Sequence, residues 1–156
     1  MSGLHPADSV VETTYTVLPP DTNHHGTAFG GKIMQWMDIT AGIAAARHCG
    51  EPVVTVAVDD LHFARPIRLG EVVILKAAVN HTARTSMEVG VRVERENIKT
   101  REREHCLSGY FTFVAVDDQG RPTAVSPLEP LTADDIRRHD NAAKRRQKRL
   151  DRRSNK

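Results

Sequence analysis

Between Gly30-Gly31 and Gly50 runs a stretch, KIMQWMDITAGIAAARHC, that leaves almost no polar face if it is helical. Ile33, Met34, Trp36, Met37, Ile39, Ala41, Ile43, Ala44 and Ala45 cover nearly the whole circumference of a helix at 3.6 residues per turn. A helix that is apolar all round has to be buried. Arg47 and His48 suit its last turn, where cations meet the negative end of the helix dipole, and Gly50 suits its stop. Whatever else the chain forms must wrap this helix.

The rest of the chain reads as strands. Residues 13–18 (TTYTVL) form a short β-branched run that Pro19-Pro20 ends, and residues 21–29 (DTNHHGTAF) form a polar turn-rich loop. After the helix come four strand-like runs at residues 53–63, 72–81, 86–94 and 106–116. Val54, Val56 and Val58 alternate in the first run, and Val73, Leu75, Ala77 and Val79 in the second. Met87, Val89, Val91 and Val93 alternate in the third, and Phe111 with Phe113 in the fourth. Thr132-x-x-Asp135 resembles a capping box and opens a polar helix over residues 133–153. The pattern predicts an α+β fold, with about five antiparallel strands curled round one long buried helix and a polar C-terminal helix added. That is the hot-dog arrangement. One sheet cannot cover every side of the helix, so a second subunit is expected. The expected organisation is a loose segment over residues 1–12, a domain over 13–131 and a basic helix or tail over 132–156.

With 156 residues the chain is long enough for one core and too short for two ordinary ones. No apolar run reaches the roughly 20 residues of a membrane-spanning helix, and the N-terminus has no signal-peptide pattern, so the expectation is cytoplasmic, with no membrane partner. Cys49 and Cys106 stand alone, without CxxC or zinc spacing. Charge is uneven. Residues 137–156 hold ten Lys/Arg and two Asp, a balance of +8, while the remainder balances at −6. A basic tail can meet nucleic acid or phosphates, or simply be a solvated helix face. It lacks the interleaved aromatics of a nucleic-acid binder, and no nucleic-acid partner is expected.

Two places could carry chemistry. Asp38 sits in the middle of the apolar helix, where an unpaired buried carboxylate would cost several kcal/mol, so it either faces a polar pocket or pairs with a structural partner. The loop residues Asn23, His24, His25, Gly26 and Thr27 lead into the helix N-terminus. There Gly30 and Gly31 leave N–H groups uncovered, a setting for a polarised carbonyl or oxyanion, or just a glycine turn. The paired histidines lack HxH or HExxH spacing, and no metal is expected. Thr85-Ser86 reads as turn hydroxyls, and Arg65 as an exposed residue ending a strand.

Taken together, Asn23-x-x-Gly26-x-x-Phe29-Gly30-Gly31, Trp36-Met37-Asp38, Val54-Thr55-Val56, Phe63-x-x-Pro66-x-x-x-Gly70, Thr85-Ser86-Met87-Glu88-Val89 and Phe113-Val114-Ala115-Val116-Asp117 resemble the hot-dog acyl-CoA thioesterases. The resemblance is to the bacterial acyl-CoA hydrolases related to each half of the brain-type enzymes. It implies hydrolysis of acyl-CoA to a free acid and coenzyme A, in a dimer or trimer of dimers with active sites between subunits. Coenzyme A is then part of the substrate, and no cofactor is implied. By resemblance Asp38 is the base or nucleophile, Asn23 orients water or carbonyl, and the Gly31 N–H is the oxyanion donor. Substrate contacts are expected from Gly26, Phe29, Gly30, Arg65, Thr85 and Ser86. Coenzyme A carries phosphates, so Arg145 and Arg149, on one face of the basic helix, are expected near them.

Two other readings compete. A hot-dog dehydratase would pair His24 or His25 with Asp38, but the Phe-Gly-Gly and Thr-Ser-Met context favours the thioesterase. A non-catalytic acyl-CoA-binding module would not need both Asn23 and Asp38.

Overall fold

Alternation in the long central strands sets which face of the sheet is dry. In a computed structural model describing residues 3–155, the strands are β1 (Val11–Thr16), β2 (Val53–Phe63), β3 (Val72–Thr82), β4 (Ser86–Glu96) and β5 (Arg103–Ala115). Expectations that touch residues 1, 2 and 156 lie outside the described residues. The strands form one antiparallel sheet in the order β1-β3-β4-β5-β2, so β1 and β2 are its edges. Val73, Leu75, Val79, Met87, Val89, Val93, Phe111 and Phe113 are all buried, as their alternation predicts.

Helix α1 (Gly30–Cys49) lies on that apolar face. Its buried residues are Ile33, Trp36, Met37, Thr40, Ala41, Ala44, Ala45 and His48, which is one stripe at helical spacing. Each large side chain in the stripe contributes about 1.5–3 kcal/mol on burial. Trp36 stacks on Tyr15 of β1 with ring centroids 4.5 Å apart, and Thr40 shares a 2.9 Å hydroxyl hydrogen bond with Thr13. Within one chain the helix is not covered all round. Met34, Ile39 and Ile43 remain 37%, 48% and 39% exposed. This is the hot-dog arrangement of a sheet curled on a long helix, with one flank of the helix left open.

β2 departs from its expected alternation. Its register on β5 shifts between Thr55 and Ala57, a bulge that places one extra residue in the edge strand. Val54 therefore pairs with Val114 and Val58 with Phe111, on opposite faces, and the expectation that Val54, Val56 and Val58 share one face is corrected. All three are exposed.

Helix α2 (Ala133–Ser154) starts at the expected capping box: Thr132 Oγ1 accepts from Asp135 N at 3.0 Å, and Thr132 N donates to Asp135 Oδ2 at 3.1 Å. It lies on the opposite, outer face of the sheet. Residues 3–12, expected to be loose, are held in place: the buried Ser9 hydroxyl donates to Pro6 O and accepts from Val79 N of β3.

Candidate active site

The mid-helix carboxylate has found its partner on the edge strand. Thr55 Oγ1 of β2 donates to Asp38 Oδ1 at 2.7 Å. Asp38 is half-buried at the border between the packed stripe of α1 and its open flank. Its second oxygen, Oδ2, makes no hydrogen bond among the described residues. One oxygen is thus fixed and the other is left for a reactant. Thr55 belongs to the Val54-Thr55-Val56 run quoted above, but its role could not be read there, since nothing in sequence says which strand passes over Asp38.

Two turns away lies the start of α1. The residue before the helix, Phe29, has no side-chain oxygen to cap it. The N–H groups of Gly30 and Gly31 accordingly have no backbone acceptor among the described residues, at the positive end of a 20-residue helix. Gly31 cannot carry a side chain without moving its neighbour: an added Cβ would lie 2.7 Å from Cε1 of the Phe29 ring. Beside Gly30 opens a groove of about 340 Å³, walled by Ile33, Phe63, Pro66 and Ile67, with Arg65 at its rim. An apolar groove bordered by Gly30, at the N-terminal end of a helix, suits an acyl carbonyl.

The loop before the helix is knitted by Asn23. Its Oδ1 accepts from His25 N at 2.9 Å and Thr27 N at 3.3 Å, and its Nδ2 donates to Thr27 Oγ1 at 2.9 Å. Gly26 closes the turn at φ 77°, which favours glycine. His24 and His25 stack on one another, are exposed, and neither bonds Asp38. The histidine–carboxylate pair of a dehydratase does not form within the chain.

Not all the expected residues meet. Gly31 and Asp38 share one face of α1 but are seven residues apart, a rise of about 10 Å. No hydrogen bond joins Asn23 to Asp38. Thr85 and Ser86 line a cavity on the outer face of the sheet, away from α1. Arg65 forms an ion pair with Glu104. Arg145 and Arg149, expected to present charge to a ligand, face the sheet. Arg145 grips Glu88 with two hydrogen bonds, 3.0 and 2.7 Å, and lies 3.5 Å from the centre of the Tyr110 ring. Arg149 bonds Asp59 at 2.6 Å. The reason is that the outer face itself carries carboxylates, which a helix laid across it must neutralise.

Known proteins resemble this chain in sequence and in fold. A family model described as the thioesterase superfamily matches residues 25–102. The Bacillus subtilis protein YkhA, called an uncharacterized acyl-CoA thioester hydrolase, is 41% identical over 145 residues, which is 93% of this chain and 84% of that protein. A solved hexameric acyl-CoA thioesterase is 39% identical, covers 97% of both chains and superposes with a TM-score of 0.92. The acyl-CoA hydrolase of Staphylococcus aureus, solved with butyryl coenzyme A, coenzyme A and coenzyme A disulfide, is 34% identical, with a TM-score of 0.91 over 97% of this chain and 92% of that one. Three further structures of that enzyme have alanine in place of an asparagine, an aspartate and a threonine, and the altered positions have the same mutual spacing as Asn23, Asp38 and Thr55. By its family match and by its likeness to YkhA, the chain belongs to the thioesterase superfamily.

Proposed function

We propose that this chain hydrolyses acyl-CoA thioesters to a carboxylic acid and coenzyme A, at sites built between two copies. The observation that carries the reading is the Asp38 carboxylate, held by Thr55 through one oxygen and open at the other, on the helix whose N-terminus offers two free N–H donors.

The chemistry follows from these groups. A thioester carbonyl aimed at the N–H of Gly31 is polarised, and the oxyanion of the tetrahedral intermediate is stabilised there. Asp38 either takes a proton from the attacking water or attacks the carbonyl itself, forming an anhydride that water then cleaves. In both routes the C–S bond breaks and coenzyme A leaves as a thiolate that is then protonated. Water is the only co-reactant.

One chain does not complete the site. A base must lie within about 3 Å of the proton it takes, and Asp38 is roughly 10 Å from Gly31 along its own helix. A two-fold partner running antiparallel along the open flank of α1 would set Asp38 of one copy against Gly31 and Asn23 of the other. It would also cover Met34, Ile39 and Ile43, and the exposed edge of β2. The hexameric relative supports a further assembly of three such dimers.

The test is a hydrolysis panel of acyl-CoAs from acetyl to palmitoyl, followed by thiol release. Turnover of at least one chain length is expected, and a folded protein that hydrolyses none overturns the reading.

A further inference from the structure

A charge stands where the dry face of the sheet should continue. Met87, Val89, Val91 and Val93 alternate along β4 and are buried on the α1 side, and Arg95 follows in the same phase. The β3–β4 ladder runs without a shift from Leu75 opposite Val93 to Val73 opposite Arg95, so the Arg95 side chain leaves the sheet on the helix side. β5 is adjusted to meet it. Its ladder with β4 puts Leu107 opposite Val93 but His105 opposite Glu94, so Cys106 is an extra residue. Without that bulge His105 would oppose Arg95, and with it Glu104 does. Arg95 Nε donates to Glu104 Oε2 at 2.7 Å, Arg95 pairs with Glu71 at 3.8 Å, and Arg65 takes the other Glu104 oxygen.

Stability alone does not account for this cluster. The side chains of Arg95, Glu104 and Arg65 are 24%, 38% and 55% exposed, and ion pairs this open to water contribute only about 0–1 kcal/mol. What the cluster holds is the segment that follows β2. Arg95 Nη1 donates to Pro66 O at 2.7 Å. Pro66 has no N–H, so its carbonyl is its one backbone handle, and it accepts from no other group among the described residues. The next carbonyl, Ile67 O, accepts from Ala28 N at 2.6 Å, just before the Phe29-Gly30-Gly31 entry to α1. Residues 64–67 and Ala28 wall the groove of about 340 Å³ at Gly30. That is near the small end of ligand pockets, roughly 300–1,000 Å³, so a small displacement of the Pro66–Ile67 wall changes which chain fits.

We propose that Arg95, aimed by Glu104, is a positioning residue for acyl-chain selection: through the Pro66 carbonyl it fixes the wall of the groove at Gly30 and so sets the length of chain accepted. This rests on the thioesterase reading above. Arg95 acts on the substrate only through the wall that it holds, and the bulge at Cys106 is the feature of β5 that supplies its carboxylate partner.

Steady-state kinetics of the full-length protein in its native oligomer, over saturated acyl-CoAs from acetyl to stearoyl, test it. The quantity read is a ratio: kcat/KM for the chain two carbons longer than the wild type's best substrate, over kcat/KM for that best substrate. R95M/E104Q removes the donors without stranding the Glu104 carboxylate. It should raise the ratio by at least about tenfold, which is what one methylene is worth in an apolar pocket. R95K keeps the charge but loses the planar fork that spans Glu104 and Pro66, and should fall between the two. R103Q breaks the 3.0 Å Arg103–Glu96 pair at the same end of the sheet, away from the groove lining, and should leave the ratio at the wild-type value. An unchanged ratio in the folded double variant, an equal fall at every chain length, or an equal shift in R103Q overturns the proposal. If the double variant does not fold, R95K decides, and a wild-type ratio there overturns it. A wild type that hydrolyses no acyl-CoA takes the thioesterase reading down as well, whereas an active wild type with unmoved ratios removes the positioning role alone.

Discussion

Thr55 Oγ1 and Asp38 Oδ1 are 2.7 Å apart, and this one hydrogen bond ties the edge strand β2 to the open flank of α1. Removing the donor without changing shape, as in Thr55→Val, should leave the carboxylate free to rotate. About a tenfold fall in kcat is expected, the loss of one oriented hydrogen bond, with KM little changed. Thr55→Ser should keep most of the rate. Steady-state kinetics of both variants check this, and equal rates for Val and wild type would remove Thr55 from the site.

Asp38→Asn keeps the volume and removes the proposed base or nucleophile. Its kcat is expected to fall by about 100-fold or more, with an unchanged thermal midpoint. A folded variant with near-normal turnover would show that the carboxylate is structural.

The rise of about 10 Å between Gly31 and Asp38 along one helix predicts a site shared between two chains. Asp38→Asn and Asn23→Ala proteins should each be inactive alone. Mixed by unfolding and refolding together, they should regain roughly a quarter of wild-type activity, since a mixed dimer holds one intact site of two. No regain in a mixture shown to contain mixed dimers would place each site inside a single chain.

Arg145 and Glu88 form a buried pair, their side chains 14% and 2% exposed. Arg145→Ala would strand the Glu88 carboxylate, leaving Asn80 as its remaining hydrogen-bond partner, and should destabilise the protein by about 3–5 kcal/mol. Adding Glu88→Gln to that variant removes the stranded charge and should recover part of the loss. Urea denaturation of both measures it.

His81 of β3 faces His139 of α2 at a ring separation of 4.8 Å. Burial holds the His81 pKa below the usual histidine range. The charge of His139 lowers it further, as do Arg146 and Arg149 on α2, while Glu88 on β4 opposes them. A folded pKa below the unfolded one means that the unfolded chain takes up the proton first as pH falls. Stability present above the ordinary histidine pKa, about 6.5, is therefore lost as pH drops through it towards the lower folded value. The protection factors of α2 amides, taken relative to their intrinsic exchange rates at each pH, should fall from pH 7.5 to pH 5, and His81→Gln should flatten that dependence.

Much of the fold was legible because burial leaves a period in the sequence. β2 runs over the expected residues, and β3 and β4 start where expected. Other strand ends moved by a few residues. β5 begins at Arg103, three residues before the apolar run, because a charged segment can extend a ladder into solvent. The β2 bulge was invisible, since one extra residue in an edge strand changes no composition.

The polarity pattern alone determined that a long apolar helix is wrapped by an antiparallel sheet, that it cannot be wrapped completely, and that a carboxylate in its middle needs a partner. These are local facts of period, propensity and desolvation. Only the tertiary structure decided that the partner is Thr55, that Arg145 and Arg149 neutralise Glu88 and Asp59, and that Thr85 and Ser86 lie across the sheet from Asp38. Each of those depends on which residues far apart in the chain come within hydrogen-bond distance, and register, a bulge and the seat of α2 set that after the pattern has done its part.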